Sequence, residues 1–154
     1  MNYKISPEKQ LLLMQPPFLQ GVATSIQELP THKWGIFGEY EYLGAGTPYT
    51  QKREAGVKPK NDLDKIAMYH DSQYVWTEQH NFLGTALNKN IQRGVADYGA
   101  GAAMWTAAIN PWSDLGFKER VLGIIAGESL MIQGIIRINP ATMIAGLMAD
   151  LIFY

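Results

Sequence analysis

The sequence has no cysteine, almost no net charge and no long uninterrupted apolar run. Without cysteine, neither a disulfide framework nor a thiolate zinc site is possible. A net charge of −1 gives no overall attraction to nucleic acid, so we expect no nucleic-acid partner. The apolar run from Leu11 to Met14 is too short for the core of a signal peptide, and no run reaches the length of a membrane-spanning helix. We therefore expect a protein that is not secreted by means of a signal peptide.

The composition is that of a globular chain. Of its 154 residues, 47% are hydrophobic and 18% are charged, which suits one domain with a sizeable core. The sequence predicts an all-α fold, with an N-terminal arm at 1–33, a core at 34–110 and an apolar helical extension at 111–154.

The strongest helix signal covers residues 62 to 80. Asn61 is a favoured N-cap, and the acidic Asp62 and Asp64 fall in the first turn, where the helix dipole favours negative charge. Apolar residues and His70 recur every three or four positions, which places them on one face: Leu63, Ile66, Ala67, His70 and Tyr74. Asp71 lies about 100° around the helix, at the flank of that face.

His70 and Asp71 can be interpreted in two ways. Taken alone, the pair is typical of a core histidine beside a solvated aspartate. The glycine-bearing loop at 42–47 favours a second interpretation, because Gly44 and Gly46 let successive carbonyls point into one small space. Calcium binds hard oxygen ligands, including carbonyls and carboxylates. The sequence thus predicts a calcium site formed by the carbonyls of Tyr42, Gly44 and Gly46 and the carboxylate of Asp71.

Two separated motifs carry a family resemblance. The first is Tyr-x-Gly-x-Gly, and the second is His-Asp-x-x-Tyr, preceded by Pro-x-Asn-x-x-Asp-x-x-Ala: Tyr42, Gly44 and Gly46, then Pro59, Asn61, Asp64, Ala67, His70, Asp71 and Tyr74. The chain in this region, about 40–98, resembles the phospholipase A2-like domain at the N-terminus of parvovirus minor capsid proteins and, more distantly, secreted phospholipases A2. It departs from the viral pattern at Ala45, where proline is usual, and by additional residues near 51–57.

The resemblance implies a calcium-dependent hydrolase that cleaves the sn-2 ester of phospholipids. His70 would be the general base, Asp97 would orient its ring, Tyr74 would support Asp97, and the Gly44 N–H would join calcium in stabilising the oxyanion. Ala96-Asp97 matches the Ala-Asp pair of the family's second helix. The alternative for Asp97 is an ion pair with Arg93 one turn earlier.

The resemblance also implies a virion protein, made in the host cytoplasm, that uses a phospholipid membrane as substrate during penetration. Two other functions stay open: a structural virion or assembly protein that keeps the fold without turnover, and a calcium-dependent module that binds lipid without cleaving it.

The remaining helices suggest how the chain packs. On a second helix, at 85–109, Gly94 and Gly101 would allow a neighbouring helix to come close, which suits an antiparallel pair that brings Asp97 to His70. Further apolar helices are predicted at 117–136 and 141–154. They could form a hairpin on the core, an oligomer or virion contact, or a shallow membrane insertion, and their small residues favour subunit assembly. Residues 48–60 are expected to form a basic loop.

Overall fold

A computed structural model describes residue 29, residues 31–79 and residues 86–153. In this part of the chain, helices dominate, and the only sheet is a short antiparallel pair, β1 (His32–Lys33) and β2 (Glu39–Tyr40). The helices are α1 (Tyr49–Glu54), α2 (Asp62–Gln79), α3 (Ala86–Ile109), α4 (Phe117–Ile138) and α5 (Pro140–Phe153). The predicted all-α class is confirmed. Residues 1–28 and residue 30 of the predicted N-terminal arm lie outside the described residues.

Helix α2 begins as the sequence predicts. The Asn61 side-chain oxygen accepts the backbone N–H of Asp64 at 3.0 Å, which is the N-cap bond. Leu63 and Ala67 on its inner face are buried. His70 lies two turns further along the same face as Leu63, which is how the helix brings the histidine to the interior.

Two segments differ from expectation. His32 and Lys33, assigned to the arm, pair with Tyr40 and Glu39 in the sheet, so this end of the arm is tied to the core. The expected loop at 48–60 contains α1, and Lys52 on α1 is fully buried. Its ammonium group donates to the Glu41 carbonyl at 2.7 Å and to the Glu41 carboxylate at 3.0 Å, so it is not a solvated surface charge.

The most extensive contact between helices joins α3 and α4, and glycine makes it possible. A Cβ atom at Gly101 would lie 2.4 Å from the Gly127 carbonyl oxygen, and one at Gly134 would lie 2.6 Å from the Gly94 carbonyl oxygen. The sequence prediction that Gly94 and Gly101 permit a close helix was right, but the close neighbour is α4 rather than α2. The spacing of the glycines predicts a close helix contact, but which helix makes that contact depends on the tertiary fold.

Helix α4 belongs to the core. Leu122 and Ala126 lie in the same buried cluster as Tyr42, Leu63 and Met104. Among the helices of the described residues, α4 alone is long and apolar enough, by length and composition, to cross a membrane, a property that core helices of soluble proteins also show. The predicted boundary at 110/111 falls in the turn between α3 and α4.

The outer faces of α4 and α5 are apolar and exposed. Asn139 ends α4 and caps α5 through a bond from the Thr142 N–H to its side-chain oxygen at 3.0 Å, and Pro140 takes the first position of the new helix. The exposed large apolar side chains include Ile132, Ile135, Ile136, Ile144, Leu147, Met148, Leu151 and Ile152.

Candidate active site

A histidine–aspartate contact joins α2 to α3. His70 Nε2 lies 2.6 Å from Asp97 Oδ1. The Asp97 side chain is fully buried, and that of His70 is 14% exposed. Because an ionised carboxylate can only accept hydrogen bonds, the contact places a proton on Nε2 and leaves Nδ1 as the acceptor nitrogen of the neutral ring. The alternative pairing of Asp97 with Arg93 is absent, since Arg93 bonds Glu78 instead.

Asp97 accepts two further hydrogen bonds. The Tyr74 hydroxyl donates to Oδ1 at 2.6 Å, and Arg137 Nε donates to Oδ2 at 2.8 Å. Burial acts to raise the pKa of Asp97, but the bonds from His70 and Tyr74 and the charges of His70 and Arg137 outweigh it and lower the pKa. Asp97 is therefore held as an anion. Burial and the bond to Asp97 raise the pKa of Tyr74, which stays a donor.

The glycine-bearing loop is organised by Asp64. This fully buried carboxylate accepts the backbone N–H groups of Tyr42 at 2.8 Å and Leu43 at 2.9 Å on one oxygen. Its other oxygen accepts those of Glu41 at 3.1 Å and Lys60 at 2.8 Å. The sequence analysis assigned Asp64 an effect on the helix dipole and a place in the family motif, but no bond to the loop. Its larger role is to turn the N–H groups of the loop inward, which leaves the carbonyls facing the opposite way.

Two of the predicted carbonyl ligands converge on one point. The Thr47 hydroxyl lies 3.0 Å from the Tyr42 carbonyl and 3.0 Å from the Gly44 carbonyl. His32 Nε2 lies 2.8 Å from the same hydroxyl. Gly46, with φ of 72°, completes the turn in a conformation that favours glycine. Thr47 and His32 were not among the residues predicted for the site.

Gly44 is needed for a reason other than backbone freedom. A Cβ atom there would lie 2.4 Å from the His32 ring, so only glycine lets the loop pass this close to β1. The Gly44 N–H has no hydrogen-bond acceptor in the part of the chain that the structure describes. It is therefore available to an oxygen of a bound molecule, as the sequence prediction requires.

Asp71 faces the loop with one oxygen unsatisfied. Its Oδ2 is buried and has no hydrogen-bond partner, while Oδ1 lies 3.7 Å from His70 Nδ1, beyond hydrogen-bonding distance. Burial raises the pKa of Asp71, although the nearby His70 opposes this. A buried carboxylate oxygen without a partner is costly, and a cation is one way to satisfy it.

His70 responds to both carboxylates. Burial acts to lower its pKa, but Asp71 and Asp97 outweigh that effect and raise the pKa to about 9. This direction favours the protonated ring at neutral pH. A positive charge beside Asp71 would remove part of the attraction and return the ring toward the neutral form that a base requires.

One cavity of about 670 Å³ unites these groups. It is lined by the predicted site residues Tyr42, Gly44, Gly46, His70, Asp71 and Tyr74. Apolar and polar side chains of other segments complete it: Trp34, Tyr49, Met104, Ile125, Leu130, Gln133 and Arg137. Asp97 lies behind His70, so the ring is exposed to the cavity on its Nδ1 side. Among the described residues there is no cluster of three His, Cys, Asp or Glu side chains, so a metal here would depend on carbonyls plus Asp71.

Comparisons of the chain with protein-family models, with curated proteins and with solved structures give no match.

Proposed function

We propose that the protein is a calcium-dependent phospholipase A2, which hydrolyses the sn-2 ester of phospholipids to a fatty acid and a lysophospholipid. One observation carries the proposal: the cavity is lined by His70, whose ring bonds the buried Asp97, and by Asp71, which has a buried oxygen without a partner. A purely structural histidine would need neither the second carboxylate nor the cavity.

The residues suit attack by water without a covalent intermediate. His70 Nδ1 accepts the proton of the attacking water as its oxygen bonds to the ester carbon. Asp97 holds the Nε2 proton and stabilises the imidazolium that forms. The same proton then passes from Nδ1 to the glycerol oxygen as the ester C–O bond breaks. The Gly44 N–H would donate to the developing oxyanion, as the resemblance implies.

The residues around the loop fit calcium. Two carbonyl oxygens, from Tyr42 and Gly44, face one point, and the buried Asp71 oxygen offers a negative charge. Gly46 belongs to the same loop and would add its carbonyl. When bound there, calcium would supply a positive charge for the phosphate and the ester oxygen. The Thr47 hydroxyl lies within hydrogen-bonding distance of both carbonyls.

The contacts between α2 and α3 support the predicted core. His70 and Tyr74 meet Asp97, while Glu78 meets Arg93 and Lys89, so the helices run antiparallel. This is the arrangement that the resemblance implies for the two helices of a phospholipase A2-like domain. We extend the proposal to a virion protein that is made in the host cytoplasm and acts on a membrane during penetration.

A structural virion or assembly protein without turnover is the second candidate. The exposed apolar faces of α4 and α5 favour it, because such surfaces are typical of contacts with other subunits or with a second copy of the chain. The calcium-dependent lipid-binding module differs from the enzyme only in turnover.

Turnover on vesicles separates these functions. The purified protein would be mixed with phosphatidylcholine vesicles that carry a fluorescent sn-2 acyl chain, in millimolar calcium and then with a chelator. We expect release in calcium, none with chelator, and none from His70→Ala or Asp71→Asn. Asp62→Asn is the matched control, because it removes a carboxylate of the same helix outside the cavity and should leave release unchanged. Calcium-dependent vesicle binding without release would identify the lipid-binding module instead.

A further inference from the structure

The third partner of Asp97 comes from outside the region of family resemblance. Arg137 lies near the end of α4, and its Nε donates to Asp97 Oδ2 at 2.8 Å, the oxygen that His70 and Tyr74 do not use. The Arg137 side chain is 27% exposed and lines the same cavity as His70. No local pattern points to Arg137, because forty residues separate it from Asp97.

The close packing of α3 and α4 sets this contact. Gly94 and Gly134 face each other with almost no space between the backbones, and a Cβ atom at Gly94 would lie 3.0 Å from Arg137 Cβ. Asp97 and Arg137 each lie three residues from one of these glycines, within about one helical turn of the contact. The glycine contact therefore brings the two backbones close enough for the long Arg137 side chain to reach Asp97.

The contact constrains the orientation of Asp97. Rotation about the last side-chain torsion of an aspartate is soft, so one bond on Oδ1 does not by itself fix the carboxylate plane. Donors on both oxygens do fix it. A guanidinium group also supplies a permanent charge beside a buried carboxylate that would otherwise face only a histidine and a hydroxyl.

We propose that Arg137 is a positioning residue, which holds the Asp97 carboxylate in the orientation that the His70 ring requires. This inference rests on the proposed function for its kinetic consequence, but the positioning itself can be measured without turnover. This role of Arg137 means that α4 contributes to the site. A chain that ended near residue 110 would contain the two family motifs but would lack a complete site.

The test uses the full chain with Arg137→Met, Arg137→Ala and Arg137→Lys. Arg93→Met is the matched control, because Arg93 also lies over the Tyr74 ring, at 5.1 Å, but does not bond Asp97. In calcium-free protein, the low-field proton resonance of His70 Nε2–H, assigned by its loss in His70→Gln, reports the bond to Asp97. We expect it in the wild type and in Arg93→Met, and expect it broadened or lost in Arg137→Met.

The kinetic arm uses the vesicle assay. We expect kcat to fall about 10- to 100-fold in Arg137→Met, as is usual when the orienting partner of a site residue is removed, with KM changed less than about twofold. Arg137→Lys should recover part of kcat, and added guanidinium ion should raise kcat of Arg137→Ala but not that of the wild type. Thermal unfolding shows that each variant is folded.

The outcomes are separable. An Nε2–H resonance in folded Arg137→Met that matches the wild type would overturn the positioning role, whether or not the wild type hydrolyses lipid. Equal kcat in Arg137→Met and Arg93→Met would overturn it as well. A wild type without turnover would instead refute the proposed function, and the resonance would then decide the positioning role alone.

Discussion

The buried Asp64 carboxylate gives the sharpest prediction about the loop. It accepts four backbone N–H groups, two on each oxygen, from Glu41, Tyr42, Leu43 and Lys60. Asp64→Asn keeps the shape but turns one acceptor oxygen into an NH2 donor. Whichever way the amide is oriented, one pair of N–H groups then faces another donor.

The magnitude follows from those two lost bonds. A hydrogen bond to a charged group contributes about 1.5–3 kcal/mol, so losing two of them costs about 3–6 kcal/mol. Small domains are stable by about 5–15 kcal/mol, so the free energy of unfolding should fall by a large fraction. Because the loop carbonyls depend on the same bonds for their direction, calcium affinity should fall too.

Urea unfolding with and without calcium measures both effects. Asp62→Asn is the control for the helix dipole, since Asp62 lies in the same first turn, and its charge contributes about 0.3–1 kcal/mol. If Asp64→Asn cost no more than Asp62→Asn, the proposal that Asp64 organises the loop would be refuted.

Two further predictions concern helix packing and protonation. Gly101→Ala would place Cβ 2.4 Å from the Gly127 carbonyl oxygen and should destabilise the protein by about 1–3 kcal/mol. Gly99→Ala on the same helix has open space and should be neutral or stabilising by about 1 kcal/mol. Equal effects of the two substitutions on the free energy of chemical unfolding would contradict the packing. Because the folded-state pKa of His70 is raised to about 9 from 6.5, its stabilising contribution in calcium-free protein is fully present below pH 6.5 and is lost as pH rises through about 9. An NMR titration of His70 should show this pKa and a lower one in Asp71→Asn, and a wild-type pKa near 6.5 would contradict it.

Local signals in the sequence predicted the helices well. The Asn61 cap, the spacing from Leu63 to Tyr74 and the spacing of Gly94 and Gly101 on α3 each depend on a few nearby positions. Periodicity alone also placed His70 on an inward face. The predicted start of α2 at residue 62 and the predicted end of α3 at residue 109 agree with the structure.

Long-range partners could not be predicted in the same way. Arg137, His32 and Thr47 reach the site from α4, β1 and the far end of the loop, and none has a local pattern that points there. A basic loop at 48–60 would leave Lys52 in solvent, where lysine usually lies, and only the fold shows the Glu41 groups that it contacts when buried. Such contacts arise from the packing of distant segments, which one sequence does not show.

The apolar outer faces of α4 and α5 remain a prediction about partners. We expect contact with other virion subunits or with a second copy of the chain. Ile144→Glu, on an exposed position of α5, should lower the apparent mass in light scattering if copies associate there. If the wild type associates and Ile144→Glu has the same apparent mass, the contact lies elsewhere.

The most direct test of the central claim is the identity of the released chain. A phosphatidylcholine with different acyl chains at sn-1 and sn-2 would be incubated with the protein in calcium, and the products weighed by mass spectrometry beside His70→Gln. We predict free sn-2 fatty acid and sn-1 lysophospholipid in equal amounts from the wild type, and neither from the variant. Release of the sn-1 chain, or equal hydrolysis by folded His70→Gln, would contradict the account.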